Sequence, residues 1–330
     1  MRLLIRTEAS PQIGMGHFMR CFAIAETARA QGIPVTFLLN ELGDAAAARL
    51  DEIGAAGVAV GGSPGSAADF MATGALNLSR DRGWLLIDSY QVTEDYLTLQ
   101  THAARVAVID DMNALARYDC DLIINPAQAA RRTDYERKTS ARLCLGADYA
   151  LIRKEFLQHG DEACDDGFIA ILFGGSDPLQ LSGRCARLLR ETLPDTPIRI
   201  IAGPANIHTA DLMRLEQELN VVSVVQNPAS VAQALRGASL VLTAAGGSVG
   251  EMAAMGLPAL VLVVYDNQAS ALKACQYPVI DVRAGLPDDL AREIKQLMDD
   301  PARRANIAHH AHAVVDGNGP KRIVEVMKNV

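Results

Sequence analysis

Short apolar runs that alternate with longer helical patterns constrain this chain more than any other feature. The first run is Arg2–Arg6, a helical pattern follows over Gly16–Gln31, and the next run is Val35–Leu39. Strands and helices in this alternation predict βαβ units built around a parallel sheet. The alternation restarts at Phe168–Phe173 and continues to Leu260–Val264, which predicts a second sheet of the same kind.

The length of the chain agrees with two domains, because 330 residues are about twice a typical single domain. The acidic stretch His159–Gly167 cannot continue either sheet, and we place the boundary a little before it, near Ala150. We therefore predict an N-terminal domain over residues 1–150 and a C-terminal domain over residues 151–330. Both are predicted to be α/β, doubly wound and Rossmann-like.

Composition excludes several classes of protein. Apolar residues make up 49% of the chain, which argues against disorder. The formal net charge is −8 and no basic cluster is set against it, so binding of nucleic acid is disfavoured. The longest uncharged stretches, 237–250 and 252–265, are too short to span a bilayer, and the first ten residues lack the apolar core of a secretion signal. We expect a cytoplasmic protein that does not act in a membrane.

A glycine-containing loop follows the first strand. Gly14 and Gly16 allow a ligand to approach the backbone closely, and the helix that begins beside them presents free N–H groups to an anion. We assign both glycines, with Arg20 one turn further on, to the substrate-binding surface. The dinucleotide fingerprint requires a third glycine where this chain has Met19, and no P-loop motif occurs, so NAD binding and P-loop chemistry are both disfavoured.

His17 lies at the first turn of the same helix. An imidazole at this place either transfers protons near neutral pH or hydrogen-bonds its own loop. Two further strands of the first half end in acids, at Asp88 and at Asp110-Asp111, and Tyr90 follows closely. Ligands of open parallel sheets bind at such strand ends. These carboxylates therefore either border the binding crevice or cap the next helix.

Two glycine loops of the second half each join a strand to a helix. They comprise Gly174, Gly175 and Ser176, and Gly246, Gly247 and Ser248. Backbone N–H groups at helix N-termini hold a diphosphate without a cation, so we predict that both loops bind phosphate. Glu251 lies one turn into the second helix, where its carboxylate either accepts the hydroxyls of a ribose or compensates the helix dipole.

A polar tetrad, Tyr265-Asp266-Asn267-Gln268, follows the strand Leu260–Val264. Asn267 and Gln268 either bind sugar hydroxyls and amides or cap the following helix. The histidines at 309, 310 and 312 do not share one helix face, so we predict no metal site there.

Together these motifs resemble the pseudaminic-acid pathway hydrolases, the UDP-2,4-diacetamido-2,4,6-trideoxy-β-L-altropyranose hydrolase family. They are more distantly similar to the two-domain sugar-nucleotide glycosyltransferases of the GT-B fold. The segments that carry the resemblance span nearly the whole chain: Ile13–Ala25, Asp88–Tyr90, Val108–Asp111 with Cys120–Asn125, Leu145–Phe156, Phe173–Pro178, Ala245–Glu251 and Asn267-Gln268.

The resemblance implies hydrolysis of a UDP-sugar to UDP and the free sugar, by attack of water at the anomeric carbon, in the biosynthesis of pseudaminic acid, a nonulosonic acid of bacterial surface glycans. It implies that His17 is the catalytic histidine, that Asn267 and Tyr90 are active-site residues, and that the second domain binds UDP. It also implies a GT-B-like architecture, in which two Rossmann-like domains face a central cleft and the last helix packs back on the first domain. We expect a monomer that needs neither a cofactor nor a metal.

Three alternatives are weighed against this hydrolase. A GT-B glycosyltransferase would use the same UDP-sugar donor but pass the sugar to an acceptor. A sugar-nucleotide-binding protein would bind UDP without turnover. An NAD-dependent enzyme is disfavoured by Met19. Release of free sugar in the absence of an acceptor distinguishes the hydrolase from the glycosyltransferase. UDP binding without turnover would favour the binding protein, and absence of nicotinamide-cofactor binding would exclude the NAD-dependent enzyme.

Overall fold

The structure is a computed structural model that describes residues 1–9, 15–62, 65–76, 78–81, 83–157 and 167–329. The chain divides into two compact units. Unit 1 comprises Met1–Arg153 and Gly317–Val330, and unit 2 comprises Lys154–Asp316. Gly14 and most of the acidic stretch at 159–167 lie outside the described residues.

Unit 1 is built on seven parallel strands. They are β1 (Arg2–Thr7), β2 (Val35–Leu39), β3 (Ala56–Ala59), β4 (Gly83–Asp88), β5 (Arg105–Ile109), β6 (Leu122–Asn125) and β7 (Arg142–Leu145). Their order in the sheet is β3-β2-β1-β4-β5-β6-β7. Each residue of β2 and β4 is buried, as in a parallel sheet that helices cover on both faces.

Four helices follow strands of unit 1. They are α1 (Gly16–Ala30), α2 (Asp44–Glu52), α3 (Ala67–Ala75) and α4 (Glu94–Thr101). Side-chain oxygens of Ser66 and Thr93 accept the N–H groups of Asp69 and Tyr96 and so cap α3 and α4. The apolar side of α1, including Phe18 and Ile24, packs into the core of this unit.

Unit 2 repeats the architecture with six parallel strands. They are β8 (Phe168–Leu172), β9 (Ile198–Ala202), β10 (Val222–Gln226), β11 (Ala238–Ala244), β12 (Ala259–Val263) and β13 (Val279–Asp281), in the order β10-β9-β8-β11-β12-β13. Its helices are α5 (Leu181–Thr192), α6 (Thr209–Glu218), α7 (Val231–Leu235), α8 (Ser248–Ala254), α9 (Leu290–Met298) and α10 (Pro301–Val314).

The last helix, α11 (Gly319–Asn329), belongs to unit 1. The indole Nε1 of Trp84 donates a hydrogen bond to the carbonyl oxygen of Met327 at 2.8 Å. Ile323 and Val324 are fully buried in the same core as α1. At Gly319 a Cβ atom would lie 2.2 Å from the carbonyl oxygen of Ala150, so only glycine fits where this helix begins.

The strand order of both sheets confirms the predicted fold class, α/β with two Rossmann-like, doubly wound units. In unit 1 the order reverses between β1 and β4, and in unit 2 it reverses between β8 and β11. Open α/β sheets bind ligands beyond the carboxyl ends of the strands at such a switch point. A ligand is therefore expected at the loops after β1, β4, β8 and β11. Among the described helices, none is long and apolar enough to cross a membrane.

Candidate active site

His17 lies at the switch point of unit 1. It is the second residue of α1, and only 8% of the residue is exposed. Its ring atom Nδ1 is 2.8 Å from Oδ1 of Asp88, the last residue of β4. This contact follows from the topology, because β1, which leads to the loop before α1, pairs directly with β4.

The Asp88 carboxylate is fully buried and has several donors around it. Arg20 donates from Nε to Oδ2 at 2.6 Å and from Nη2 to Oδ1 at 2.5 Å, and the Cys21 thiol contacts Oδ2 at 3.5 Å. Burial opposes ionisation of Asp88, but the charge of Arg20 and the hydrogen bonds from Arg20 and His17 outweigh it and lower the pKa to about 2. Asp88 is therefore an anion, and it can only accept hydrogen bonds.

Tyr90 completes the cluster around the histidine ring. Its ring packs edge-on against His17, with centroids 4.5 Å apart and an interplanar angle of 77°. Its hydroxyl donates to Oδ2 of Asp111 at 3.2 Å, and the same oxygen accepts a bond from Nη1 of Arg20 at 2.6 Å. About half of Tyr90 is exposed, so this residue lies between the buried ion pairs and solvent.

Two neighbouring carboxylates have structural partners. Asp110 accepts the N–H groups of Met112 and Asn113 at 3.1 and 2.9 Å and closes the turn after β5. Glu8 accepts a bond from the Ser89 hydroxyl at 2.5 Å. Asp110 thus closes a turn and caps no helix, since β6 follows β5 directly, whereas Asp111 joins the cluster around His17.

The first glycine loop of unit 2 follows β8. Gly174 has a φ of +72°, a conformation that favours glycine, and a Cβ atom there would meet open space. The carboxylate of Asp177 accepts the N–H groups of Leu181 and Ser182 at 2.9 Å each. The first turn of α5 is therefore already capped, and an anion at this loop has to rely on the N–H groups of the loop itself.

The second glycine loop follows β11, the strand next to β8 in the sheet. Gly246 and Gly247 face open space, since a Cβ atom at either would meet nothing within 4 Å. Ser248 begins α8, and Glu251 is buried within its first turn. Because β8 and β11 are parallel neighbours, their two glycine loops lie at the same edge of the sheet.

The polar tetrad lies after β12 in a 3-10 helix, Asp266–Leu272. Oε1 of Gln268 accepts the N–H of Val264 at 2.8 Å, so this oxygen closes the turn and only its amide nitrogen is suited to a ligand. Asn267 is half-buried. Asp266 is largely exposed and pairs with Arg283 at 2.7 Å.

The structure thus brings His17, Arg20 and Tyr90 into contact, with Gly16 at the start of the same helix. Gly14 lies outside the described residues. The sequence indicated that Asp88 and Asp111 either border the binding crevice or cap a helix, but it did not predict their contacts with His17 and Arg20. The sequence feature that indicates this role is the position of both residues at the ends of two neighbouring parallel strands, β4 and β5.

Three curated proteins are similar to this chain, although no profile of a protein family matches it. The UDP-2,4-diacetamido-2,4,6-trideoxy-β-L-altropyranose hydrolase of Campylobacter jejuni is 25% identical over 260 residues, which cover 76% of this chain and 87% of that protein. Spore coat polysaccharide biosynthesis protein SpsG of Bacillus subtilis is 22% identical over 237 residues, 69% of this chain and 70% of SpsG. An uncharacterised protein of Methanocaldococcus jannaschii is 20% identical over the whole chain, which spans 66% of that relative's length.

Solved structures share the fold. MurG of Acinetobacter baumannii matches over 100% of both chains with a TM-score of 0.65 and 15% identity. HepE of Anabaena, solved in complex with UDP, also matches over 100% of both chains, with a TM-score of 0.64 and 14% identity. These neighbours confirm the GT-B-like fold class.

Proposed function

We propose, from the similarity of the chain to the UDP-2,4-diacetamido-2,4,6-trideoxy-β-L-altropyranose hydrolase of Campylobacter jejuni and from its motifs, that it hydrolyses that nucleotide sugar to UDP and the free sugar. The observation that carries the proposal is the buried His17 ring at the switch point of unit 1, held 2.8 Å from Asp88. A histidine fixed in this way is suited to take a proton from an attacking water molecule.

In the proposed reaction the oxygen of water attacks the anomeric carbon while His17 accepts the proton that the water loses. The bond between the anomeric carbon and the phosphate oxygen breaks, and UDP leaves with the electron pair. The loops at Gly174–Ser176 and Gly246–Ser248 hold the diphosphate through backbone N–H groups, which stabilise the charge that develops on the leaving group. This step is a cleavage of a C–O bond and leaves the phosphate oxygens unchanged.

The remaining predicted site residues have roles in binding within this proposal. Glu251 accepts the ribose hydroxyls, and Asn267 with the amide nitrogen of Gln268 binds the sugar. Tyr90 packs on the His17 ring and borders the reacting sugar together with the loop at Gly16. We further propose a monomeric, metal-independent enzyme of the cytoplasm that acts in pseudaminic acid biosynthesis, as the resemblance of its motifs implies.

The experiment is incubation of the purified protein with UDP-2,4-diacetamido-2,4,6-trideoxy-β-L-altropyranose and no acceptor. We expect equimolar UDP and free sugar, measured by anion-exchange chromatography and NMR. His17→Gln should abolish turnover and still bind UDP in calorimetry, because the glycine loops belong to unit 2. His102→Gln, at an exposed histidine of unit 1, is the matched control and should retain activity.

Other outcomes identify the alternatives. Release of UDP only after an acceptor is added would make the protein a glycosyltransferase. UDP binding without turnover would make it a binding protein. Full activity of His17→Gln would remove the role of this residue.

A further inference from the structure

Arg20 donates its hydrogen bonds to carboxylates of the protein. Nε and Nη2 bind the two oxygens of Asp88 at 2.6 and 2.5 Å, and Nη1 binds Oδ2 of Asp111 at 2.6 Å. The fork of a guanidinium matches a carboxylate in this bidentate way and fixes its orientation. The sequence assigned Arg20 to the binding of substrate, but these contacts direct its donors inward.

The fixed carboxylate determines which nitrogen of His17 carries the proton. Oδ1 of Asp88 lies 2.8 Å from Nδ1 of His17, and an ionised carboxylate only accepts hydrogen bonds. Nδ1 must therefore carry a hydrogen and donate it. In a neutral imidazole this leaves the lone pair on Nε2, the nitrogen on the opposite side of the ring.

Arg20 also acts on the charge of the ring. Its Nη2 lies 3.2 Å from Nδ1 of His17, so a proton on Nε2 would create a second positive charge beside the guanidinium. Arg20 also binds both oxygens of Asp88, so its charge offsets the charge of the carboxylate that faces the ring. The other titratable groups of this cluster are Cys21 of α1, Tyr90 and Asp111 after β4 and β5, and Glu8 after β1.

We propose that Arg20 is a positioning residue that fixes Asp88 as the acceptor of the hydrogen on Nδ1 of His17, so that the lone pair lies on Nε2 and this atom serves as the base. The kinetic part of this inference rests on the proposed hydrolysis. The position of the hydrogen on the His17 ring does not depend on that reaction, and it is measured without substrate.

The first test is a two-bond ¹H–¹⁵N correlation spectrum of the ¹⁵N-labelled protein at neutral pH, in which the loss of signals in His17→Gln assigns the His17 ring. We expect the hydrogen on Nδ1 and the lone pair on Nε2. A proton on Nε2, or on both nitrogens, would overturn the proposal. The tautomer is read from the unaltered protein, and His17→Gln serves only to assign the signals, so the result does not depend on which sugar nucleotide is cleaved.

The second test compares Arg20→Met, Arg20→Lys and Arg29→Met. Arg20→Met should lower kcat on the order of 10-fold to 100-fold, less than the full contribution of a general base. It should also change the pH dependence of kcat/KM, because the positive charge beside the His17 ring is lost. Arg20→Lys retains the charge and should leave this pH dependence nearly unchanged.

Arg29 is the matched control because it lies on the same helix and, within the described part of the chain, donates to the backbone carbonyls of Ile53 and Ile33 and to no carboxylate. Arg29→Met should leave the pH profile and kcat unchanged. If Arg20 instead bound the substrate, Arg20→Met would raise KM and weaken UDP binding with an unchanged pH profile, and that result would refute the positioning role. If the protein proves not to hydrolyse the sugar nucleotide, the distribution of the hydrogen between Nδ1 and Nε2 of His17 in the same variants still decides the inference.

Discussion

Gly203→Ala tests the placement of the nucleotide on unit 2. Gly203 follows β9, and a Cβ atom built on it would lie 2.5 Å from Cα and 2.7 Å from the carbonyl oxygen of Gly175. These are backbone atoms of the first glycine loop, so no side-chain rotation relieves the overlap. The added methyl group is about 1 Å too close for ordinary contact, and the loop after β8 has to move by a similar distance.

The expected effect on UDP binding follows from this displacement. A hydrogen bond from a backbone N–H group to a charged phosphate contributes roughly 1.5–3 kcal/mol. A shift of about 1 Å misaligns at least one such bond in the loop at Gly174–Ser176. Since each 1.4 kcal/mol is a factor of about ten in affinity, UDP should bind about 10-fold to 100-fold more weakly.

Isothermal titration calorimetry with UDP measures this loss, and thermal unfolding establishes that the variant is folded. The matched control is Gly183→Ala, in α5 of the same unit, where the new Cβ atom would make an ordinary contact of 3.6 Å with the side chain of Leu212. The control should bind UDP normally. Unchanged UDP affinity in folded Gly203→Ala would refute the assignment of the diphosphate to this loop.

Three further predictions concern stability and metal dependence. Asp88→Asn should lower the free energy of unfolding of unit 1 by about 2 kcal/mol at pH 7, because the pKa of Asp88 is lowered from 3.8 to about 2. This stabilisation is present above about pH 4 and is lost as the pH falls through about 2. In urea unfolding, the difference in the free energy of unfolding between the unaltered protein and Asp88→Asn should therefore shrink over that range. A difference that stays constant with pH would contradict this linkage. Gly319→Ala should destabilise unit 1 by about 1–3 kcal/mol in thermal unfolding, since its methyl group would meet the carbonyl of Ala150, whereas Gly74→Ala, with open space around it, should not; equal effects would contradict the packing of α11. Hydrolysis of the UDP-sugar should proceed at the same rate with and without EDTA, and a loss of activity that added metal restores would show that the reaction needs a cation.

The order of large elements was predictable because each has a clear hydrophobic pattern. The pattern predicted α1 over Gly16–Gln31, and the helix spans Gly16–Ala30. Short edge elements were not predicted. β3, Ala56–Ala59, is rich in small residues and largely exposed, and β13 has only three residues, so neither presents an apolar run that local pattern analysis detects.

The candidate site was predictable only in part, and the reason is sequence separation. His17 and the glycine loops stand out locally, since each follows a strand and begins a helix. The ion pair of Arg20 and Asp88 joins residues 68 positions apart, and it forms because β1 and β4 are neighbours in the sheet. Similarly, the contact of Gly203 with Gly175 depends on the pairing of β8 and β9. Such contacts become visible only when the strand order is known.

The central claim is that water attacks the anomeric carbon of the UDP-sugar with His17 as the base. Hydrolysis of UDP-2,4-diacetamido-2,4,6-trideoxy-β-L-altropyranose in ¹⁸O-labelled water, followed by mass spectrometry of both products, tests it most directly. We predict one labelled oxygen in the released sugar, none in UDP, and no products with His17→Gln. Label in the β-phosphate of UDP would mean that water attacks phosphorus, and it would contradict the account.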